Sequence, residues 1–363
     1  MKITLLNLIV FLALLTSGTT FGIKKVSAKQ PDKITDGPYV SYANNSDSLK
    51  FVWLCDGELK QKNIKPSSLV TQFSECGLKA DIPKHFSVTP PKSVELTKAK
   101  IAAISDIHGQ IHILKTLLTK HAITDKAGNW IFNDGHLVIT GDIFDRGDNV
   151  TEILWFLFEL EQQAELSGGK LHLLLGNHEV MVLTNDLRYL SDKYLLAEKL
   201  LNQSMTELYA PTSILGTWLR SKNVVLKLND MVFLHGGLHP ELVDKSLSLA
   251  DINQLFRLYL SEETLDEVDK NIAEYLHGID GPIWYRGYFN EEHPIDLGKL
   301  TDHFKVSKFI VGHTSQEKIE TRYKNTVIAI DSSIKYGNNG ELLLIEDEKF
   351  YRGLLNGKVE QLF

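Results

Sequence analysis

The feature that most constrains the fold is a pattern that occurs three times between residues 101 and 176. Each time, a short apolar run leads into a loop that contains glycine and polar side chains. The runs are Ile101–Ile104, Leu137–Ile139 and Leu171–Leu175. Helical spacing of apolar residues follows the first two runs, at residues 111–121 and 150–160. This order predicts an α/β fold whose polar residues gather at the carboxyl ends of the strands, where open sheets carry their active sites.

Further strands and helices are expected downstream. Helix-rich stretches are predicted at about residues 183–220 and 251–277, the second with Asp251 as its N-cap. Additional apolar runs predict strands at residues 224–228, 232–234, 309–311, 327–330 and 342–345. The simplest assembly is a central pair of sheets flanked by helices.

Residues 29–97 form a region of different character. Strands are predicted at Pro38–Tyr42 and Lys50–Cys55, and Asp56-Gly57 is typical of a hairpin turn. The proline pair within Thr89–Lys92 marks a boundary, and no catalytic spacing precedes it. We therefore expect a small β-rich cap region over residues 29–97 and a catalytic domain over residues 98–363.

The first 28 residues resemble an export signal. Lys2 precedes an apolar run from Ile3 to Leu15, and Val26-Ser27-Ala28 is an A-x-A-like cleavage site, although cleavage near Gly22 is also possible. The alternative is a membrane anchor, but the run is shorter than the roughly 20 residues that span a bilayer. We predict a periplasmic or secreted protein without stable membrane insertion after removal of residues 1–28.

The two cysteines, Cys55 and Cys76, bear on both redox state and mechanism. An exported protein is permitted a disulfide between them, although sequence cannot show that their side chains meet. Cysteine-dependent phosphatases require an arginine six positions after the nucleophile, and here those positions hold Gln61 and Ile82. A thiol nucleophile of that type is therefore excluded.

Composition excludes several other classes. With 43% hydrophobic and 23% charged residues, the chain is neither disordered nor a multi-span membrane protein. Its net charge of −7 and the lack of a long basic run argue against a nucleic-acid partner.

Five loops that follow apolar runs carry residue types that bind metal ions. Carboxylate, imidazole and amide ligands together suit zinc, iron and manganese, and the adjacent glycines allow sharp turns. One such loop is weak support, whereas five in this order are strong. The loops are Asp106-Ile107-His108-Gly109, Gly141-Asp142-Ile143-Phe144-Asp145-Arg146-Gly147, Gly176-Asn177-His178-Glu179, His235-Gly236-Gly237 and Gly312-His313-Thr314.

This series resembles the calcineurin-like metallophosphoesterases of the phosphoprotein-phosphatase type. Residues 281–287 and Ile330-Asp331-Ser332-Ser333 look most like the Shewanella-like protein phosphatases, which include a cold-active protein-tyrosine phosphatase. The resemblance covers about residues 100–345. It implies a four-layer αββα fold with two mixed sheets between helices.

The resemblance also implies a centre of two metal ions (manganese, zinc or iron) and a role for each ligand. Asp142 would bridge the two ions, and a bridging hydroxide would attack the phosphorus atom in line with the leaving group. The remaining ligands would be divided between the first metal (Asp106, His108) and the second (Asn177, His235, His313).

Four further residues are assigned catalytic roles. Two divalent ions with two carboxylates and a hydroxide leave too little positive charge for a dianionic ester, so Arg146 and Arg286 are expected to bind phosphate oxygens. His178 is expected to protonate the leaving oxygen, with Asp145 orienting its ring and holding it as imidazolium. For Arg286 the alternative is a structural arginine in an aromatic loop.

The remaining candidates receive structural interpretations. Asp331 is either a support for the ligands or a turn residue. Core or surface roles are expected for His112, His121, His136, His172, His277, His293 and His303.

These observations favour a dinuclear-metal-dependent phosphomonoesterase acting on a phosphorylated protein or a small phosphoester, with phosphotyrosine suggested by the resemblance. One alternative is a dinucleoside polyphosphate hydrolase, against which export argues because its substrates are cytosolic. Another is a metal-stabilised binding protein without turnover, which has no need of His178, Asp145 and the two arginines. The oligomeric state stays open.

Overall fold

A computed structural model describes residues 33–43, 48–66, 69–84 and 86–363. The predicted signal peptide, residues 1–28, lies outside the described residues. Within these ranges, no helix has both the length and the apolar composition needed to cross a bilayer.

Seventeen strands and ten α-helices make up the described part of the chain. The strands are β1 (Asp36–Tyr42), β2 (Leu49–Cys55), β3 (Glu58–Ile64), β4 (Val70–Glu75), β5 (Leu78–Pro83), β6 (Val94–Glu95), β7 (Ile101–Ile104), β8 (His136–Ile139), β9 (Lys170–Leu173), β10 (Val225–Leu228), β11 (Met231–Leu234), β12 (Lys308–Val311), β13 (Glu320–Arg322), β14 (Val327–Ala329), β15 (Glu341–Glu346), β16 (Lys349–Leu354) and β17 (Val359–Gln361). The helices are α1 (Ile111–Lys120), α2 (Val150–Leu166), α3 (Asn177–Leu183), α4 (Asp192–Leu201), α5 (Met205–Leu208), α6 (Ile214–Arg220), α7 (Glu241–Asp244), α8 (Leu249–Leu260), α9 (Glu267–His277) and α10 (Gly298–Phe304). Two short 3₁₀ helices occupy Gly287–Phe289 and Ile334–Tyr336.

Two six-stranded mixed sheets form the centre of the molecule. Sheet I has the order β17-β16-β15-β7-β8-β9, and sheet II has the order β13-β14-β12-β11-β10-β6. Their facing sides share an apolar core in which Val138 and Leu174 from one side join Leu226 and Phe233 from the other. Helix α2 packs on β9 and helix α8 on β10. The predicted fold class, two mixed sheets flanked by helices, is confirmed.

The three repeated units are confirmed, and their pairing explains the position of the polar loops. Strands β7, β8 and β9 are parallel neighbours, and Ile104 and Ile139, which end β7 and β8, are in register. The loops that leave these strands therefore emerge at one edge of sheet I. Strands β11, β12 and β14 are also parallel and send their following loops to one edge of sheet II.

The predicted start of the second helix-rich stretch is wrong. Helix α8 begins at Leu249, with Ser248 as its N-cap. The Ser248 hydroxyl accepts a hydrogen bond from the Asp251 backbone N–H (3.2 Å), and the Asp251 carboxylate accepts one from the Ser248 N–H (2.9 Å). Asp251 is the third helical residue of this capping box, and its carboxylate satisfies the backbone N–H of the cap residue.

The N-terminal region contains a three-stranded sheet (β1–β3) and a hairpin (β4–β5). The hairpin turn at Asp56-Gly57 is confirmed, since Cys55 and Glu58 pair directly across it. A disulfide between Cys55 and Cys76 joins the two pieces. The region packs on the catalytic body, where the Trp155 indole donates a hydrogen bond to the Pro38 carbonyl (2.9 Å).

Strand β6 lies before the expected boundary at residue 97 and yet belongs to sheet II. Its two residues, Val94 and Glu95, pair in parallel with Lys227 and Leu228 of β10. The last residues of the expected cap region thus form the edge of a central sheet.

Candidate metal centre

The five motif loops meet at the carboxyl ends of the parallel strands of both sheets. Asp106 and His108 follow β7, Asp142 follows β8, and Asn177 opens α3 after β9. His235 and His313 follow β11 and β12 of sheet II. The structure brings all ten predicted site residues into one connected cluster, to which both sheets contribute.

Tight turns hold these residues in place. Six of the ten have positive φ angles, a conformation that costs side chains other than glycine of the order of 1 kcal/mol each. They are Asp106 (53°), His108 (45°), Asp142 (60°), Asp145 (68°), Arg146 (67°) and His313 (65°). The surrounding structure must hold these residues in this strained conformation.

Two glycines allow the loops to approach the ligands closely. A Cβ atom at Gly176 would lie 2.3 Å from Asp142 Oδ1, and one at Gly312 would lie 2.0 Å from Ser105 Oγ and 2.6 Å from Asp106 Oδ2. These distances are far below van der Waals contact. Any larger residue at either position would displace a ligand or its support.

One group of donors converges on His235. Its Nε2 atom lies 3.0 Å from Asn177 Oδ1, 3.1 Å from His313 Nδ1 and 3.2 Å from Asp142 Oδ2. The other nitrogens of these rings are directed at backbone carbonyls, His235 Nδ1 at Thr140 (3.0 Å) and His313 Nε2 at Trp284 (3.1 Å). Anchoring of this kind fixes the orientation of metal-binding imidazoles.

A second group surrounds His108 and shares Asp142. His108 Nδ1 is 2.7 Å from the Phe144 carbonyl oxygen, which fixes the ring. His108 Nε2 is directed at Asp142 Oδ2 (3.5 Å) and Asp106 Oδ1 (3.9 Å). This nitrogen is fully buried and has no hydrogen-bond partner. A buried orphan nitrogen that faces two carboxylates is the arrangement that a metal cation completes.

These donors fit metal ions. Ligating atoms of His108, Asp142 and His178 lie within 4.8 Å of one another, and so do those of Asp142, His235 and His313. Asp142 belongs to both sets, as its predicted bridging position requires. His178 falls in the first set although its predicted role is that of an acid, so its position alone is compatible with either role.

The charges of the cluster follow from burial and from Asp142. Burial lowers the pKa of His108 to about 3 and that of His313 to about 2, so both imidazoles are neutral and can bind metal. Burial has the same tendency at His235, but the neighbouring Asp142 raises the pKa of this ring to about 9. Burial and the nearby Asp331 raise the pKa of Asp106 well above its usual range. The cluster therefore favours positive charge at its centre, beside Asp142.

His178 is linked to the other two predicted members of the acid group. Its Nδ1 atom is 2.5 Å from Asp145 Oδ2, while Arg146 Nη2 lies 3.2 Å from His178 Nε2. The His178 backbone N–H donates to Asp142 Oδ1 (3.0 Å). The imidazole thus stands between an orienting carboxylate and a guanidinium, next to the shared ligand.

Arg286 reaches the cluster from the segment before the first 3₁₀ helix. Its Nη1 atom donates to the His313 carbonyl oxygen (2.8 Å), and its Nη2 atom is 3.3 Å from His313 Nδ1. The structure therefore favours the site position over an arginine confined to an aromatic loop.

Sequence reasoning assigned no role to three residues that hold the loops. Glu179 is fully buried and accepts hydrogen bonds from the backbone N–H groups of Asp142, Ile143, Phe144 and Gly176 at 2.6–3.3 Å. Thr140 donates to Ser105 (2.7 Å), which donates to Asp106 Oδ2 (2.6 Å). Glu179 belongs to the Asn177-His178-Glu179 motif, and this position in the sequence could have identified it as a functional residue. Asp331 accepts from the Ser315 hydroxyl (2.6 Å) and from the Ser333 backbone N–H (3.0 Å), so it is a turn residue whose charge also acts on Asp106.

Comparisons with known proteins agree with this geometry. A family model described as calcineurin-like phosphoesterase matches residues 99–317. The solved structure of a cold-active protein-tyrosine phosphatase from a psychrophilic Shewanella species is 41% identical, with a TM-score of 0.84, and covers 91% of this chain and 100% of that one.

Curated relatives lead to the same family. Shewanella-like protein phosphatase 1 of Plasmodium berghei is 30% identical over 265 residues, which are 69% of this chain and 72% of the relative. Shewanella-like protein phosphatase 2 of Arabidopsis thaliana is 24% identical over 60% of this chain and 66% of the relative. Because the matched region includes all five motif loops, the chain belongs to the calcineurin-like phosphoesterases, a family of metal-dependent hydrolases.

Proposed function

We propose that this protein is an exported protein phosphatase that uses two metal ions and acts on phosphotyrosine. The observation that carries the proposal is a single cluster in which two metal-ligand sets share Asp142 and a buried His178–Asp145 pair adjoins them. The 41% identical structure is that of a protein-tyrosine phosphatase, which supports the same substrate class.

The ligand sets divide as the two groups of contacts do. Asp106, His108 and Asp142 would hold one ion, and Asp142 with Asn177, His235 and His313 would hold the other. When bound, such a pair supplies an activated water as nucleophile and offsets part of the charge of the phosphate.

Protonation of the leaving group falls to His178. Asp145 accepts from Nδ1, so Nε2 is the nitrogen that faces the reaction space. A proton carried on Nε2 can pass to the departing oxygen while Asp145 holds the ring through Nδ1. Arg146 Nη2 lies 3.2 Å from the same Nε2 in the free protein and would turn to the phosphate when substrate binds.

Arg286 supplies positive charge beside His313. Its Nη1 is held by the His313 carbonyl, which leaves the rest of the guanidinium fork near the metal ligands. Bidentate binding of phosphate oxygens by Arg146 and Arg286 would orient the ester and compensate for its remaining charge.

Aromatic side chains beside the site support an aryl ester as substrate. The Tyr189 ring lies 5.3 Å from the His178 ring, and the Trp284 ring lies 5.8 Å from that of His313. Trp284 also lines a cavity of about 1120 Å³ whose walls combine Met181 and Tyr259 with charged side chains such as Glu262. An aromatic phosphoester with part of a peptide has apolar surface that these groups can bury.

Export is proposed from two features. The first is the pattern of residues 1–28, and the second is the Cys55–Cys76 disulfide, a bond that persists in oxidising compartments. Fractionation of cells that express the full chain would test this proposal, with release into the periplasm or medium and loss of the N-terminal segment as the expected result.

A hydrolysis panel on the purified protein tests the activity. Phosphotyrosine, phosphoserine and phosphothreonine peptides of one sequence would be compared with diadenosine tetraphosphate, each with added manganese, zinc or iron. We expect the highest kcat/KM for the phosphotyrosine peptide and loss of activity with a chelator. A large preference for the dinucleotide would overturn the protein-phosphatase assignment, and no turnover with any metal would favour a binding protein.

A further inference from the structure

A second cluster of metal-binding side chains lies between the two sheets, away from the catalytic loops. His136 is the first residue of β8, whereas Asp142 follows the far end of that strand. His172 lies on the neighbouring β9, where its partner in register is Val138. His136 and His172 are only 7% exposed. Burial of two imidazoles that the phosphatase mechanism does not use calls for an explanation.

The geometry brings the two rings together with a carboxylate from the other sheet. His136 Nδ1 is 2.9 Å from His172 Nε2, and the rings are stacked with centroids 5.1 Å apart. Glu95 belongs to β6, the edge strand of sheet II, and its side chain is 12% exposed. Ligating atoms of Glu95, His136 and His172 all lie within 4.8 Å of one another.

The protonation states suit a metal ion. Burial lowers the pKa of His172 to about 3 and also lowers the pKa of His136, so both rings are neutral, which is the form that binds metals. Two imidazoles and one carboxylate, with water in the fourth position, make a common tetrahedral zinc set. Two nitrogens bound to one tetrahedral zinc are about 3.3 Å apart, so the rings part by about 0.4 Å, give up the proton that they share and turn both lone pairs to the ion.

The lysine in the cluster can leave it. Lys170 makes an ion pair with Glu95, and its side chain is 44% exposed. The ammonium can therefore move into solvent when a dication takes its place beside the carboxylate. Lys222, which also affects the charge near His172, is held by its own partner Glu161 at 2.5 Å.

We infer that Glu95, His136 and His172 form a third metal site, selective for zinc, that ties the short edge strand β6 to sheet I. The site stands apart from the phosphatase reaction, because no predicted catalytic residue contacts it. Zinc there replaces the Glu95–Lys170 ion pair as the link between the sheet edges. The alternative is a neutral, hydrogen-bonded histidine pair that holds no ion.

Native mass spectrometry of the full-length protein, reconstituted with zinc and freed of excess metal, separates these two accounts. We expect three zinc ions per chain for the wild type and two for both His172→Gln and Glu95→Gln, with phosphatase activity retained in the variants. Zinc should also raise the midpoint of thermal unfolding more for the wild type than for either variant. Equal zinc content in the wild type and in a folded His172→Gln variant would overturn the proposal.

The Lys170→Met variant gives a result that misfolding cannot imitate. Removal of the competing ammonium should tighten zinc binding at the third site by about tenfold, since the zinc no longer displaces a charge-assisted contact that contributes about 1.5 kcal/mol. Without a third site, the same substitution only removes an ion pair, and zinc affinity stays unchanged. An unchanged affinity would therefore contradict the proposal even if the other variants prove unstable.

Discussion

Histidines in two regions of this protein are anchored in the same way and yet have different chemistry. In the metal centre, His235 Nδ1 lies 3.0 Å from a backbone carbonyl oxygen. At the end of helix α9, His277 Nε2 lies 3.1 Å from the Phe256 carbonyl oxygen. The difference lies in the rest of each ring: His235 turns Nε2 toward Asp142, Asn177 and His313, whereas His277 stacks on the Phe256 ring with centroids 3.7 Å apart.

This difference sets the charge that each ring carries. Burial lowers the pKa of His277 to about 4, because no carboxylate opposes it. Burial also acts on His235, but Asp142 overcomes it and raises the pKa to about 9. A hydrogen bond to a backbone carbonyl and low exposure thus do not identify a metal-binding histidine. A metal-binding histidine is identified by a second ring nitrogen that lies close to other ligand atoms.

The largest expected effect is that of replacing His235. His235→Ala should lose bound metal and lower kcat/KM by more than the roughly 10,000-fold that one positioned acid contributes, because the substitution removes the nitrogen on which three donors converge. His277→Ala is the matched control and should keep its metal content. Metal analysis and steady-state kinetics measure the two variants. Full metal content in His235→Ala would show that the ligand set is wrong.

Replacement of the proposed general acid, His178, should leave the metal centre intact. We expect His178→Asn to retain metal and to lower turnover of a phosphoserine peptide by roughly 100- to 10,000-fold. A nitrophenyl phosphate, whose leaving group needs little protonation, should lose much less, and phosphotyrosine should fall between them because phenol has a pKa near 10. Asp145→Asn should show the same ranking at smaller amplitude. Loss of metal, or equal loss for all esters, would make His178 a ligand or a positioning residue.

A smaller effect is expected at the phosphate clamp, the pair of arginines Arg146 and Arg286. Arg286→Lys keeps the charge but removes the planar fork, so kcat/KM should fall by roughly 10- to 100-fold, since a hydrogen bond to a charged group contributes about 1.5–3 kcal/mol. Inhibition by inorganic phosphate should weaken in parallel. Arg188, which is 67% exposed and paired with Asp186, provides the control, because Arg188→Lys should change neither parameter. Unaltered phosphate inhibition in Arg286→Lys would remove Arg286 from the clamp.

Sequence reasoning found the ligands because each one lies in a glycine-containing loop that follows an apolar run. Asp106 and Asp142 follow parallel strands of sheet I, and His313 follows a parallel strand of sheet II, so their positions along the chain place them near the carboxyl ends of strands. The motifs therefore predicted both the fold class and the residues that meet.

The features that the sequence did not predict depend on contacts between segments that are distant along the chain. Nothing in the local sequence places Glu95 beside His172, since the two lie on different sheets and meet only after the sheets pack. The start of α8 was misplaced because Ser248 and Asp251 are both favourable cap residues, and only the hydrogen bonds of the capping box show which one is the cap. Glu179 was visible in its motif, but its four backbone partners come from loops whose turns the sequence does not specify.

The last expected effect concerns stability and not activity: it is the pH dependence of the free energy of unfolding at the control histidine, His277. His277 is neutral in the folded protein down to about pH 4, whereas in the unfolded chain it takes up a proton below pH 6.5. The unfolded state thus binds more protons between pH 6.5 and 4, so the free energy of unfolding falls as the pH falls through this window, by at most about 3 kcal/mol. Above pH 6.5 the ring is neutral in both states and contributes no pH dependence. His277→Gln retains a hydrogen-bond donor for the Phe256 carbonyl and cannot titrate, so the variant should gain stability relative to the wild type as the pH is lowered. Urea unfolding of both proteins at a series of pH values measures the difference, and other titrating groups cancel in it. Parallel curves for the two proteins would mean that solvent reaches the ring and that stacking on Phe256 does not keep it neutral.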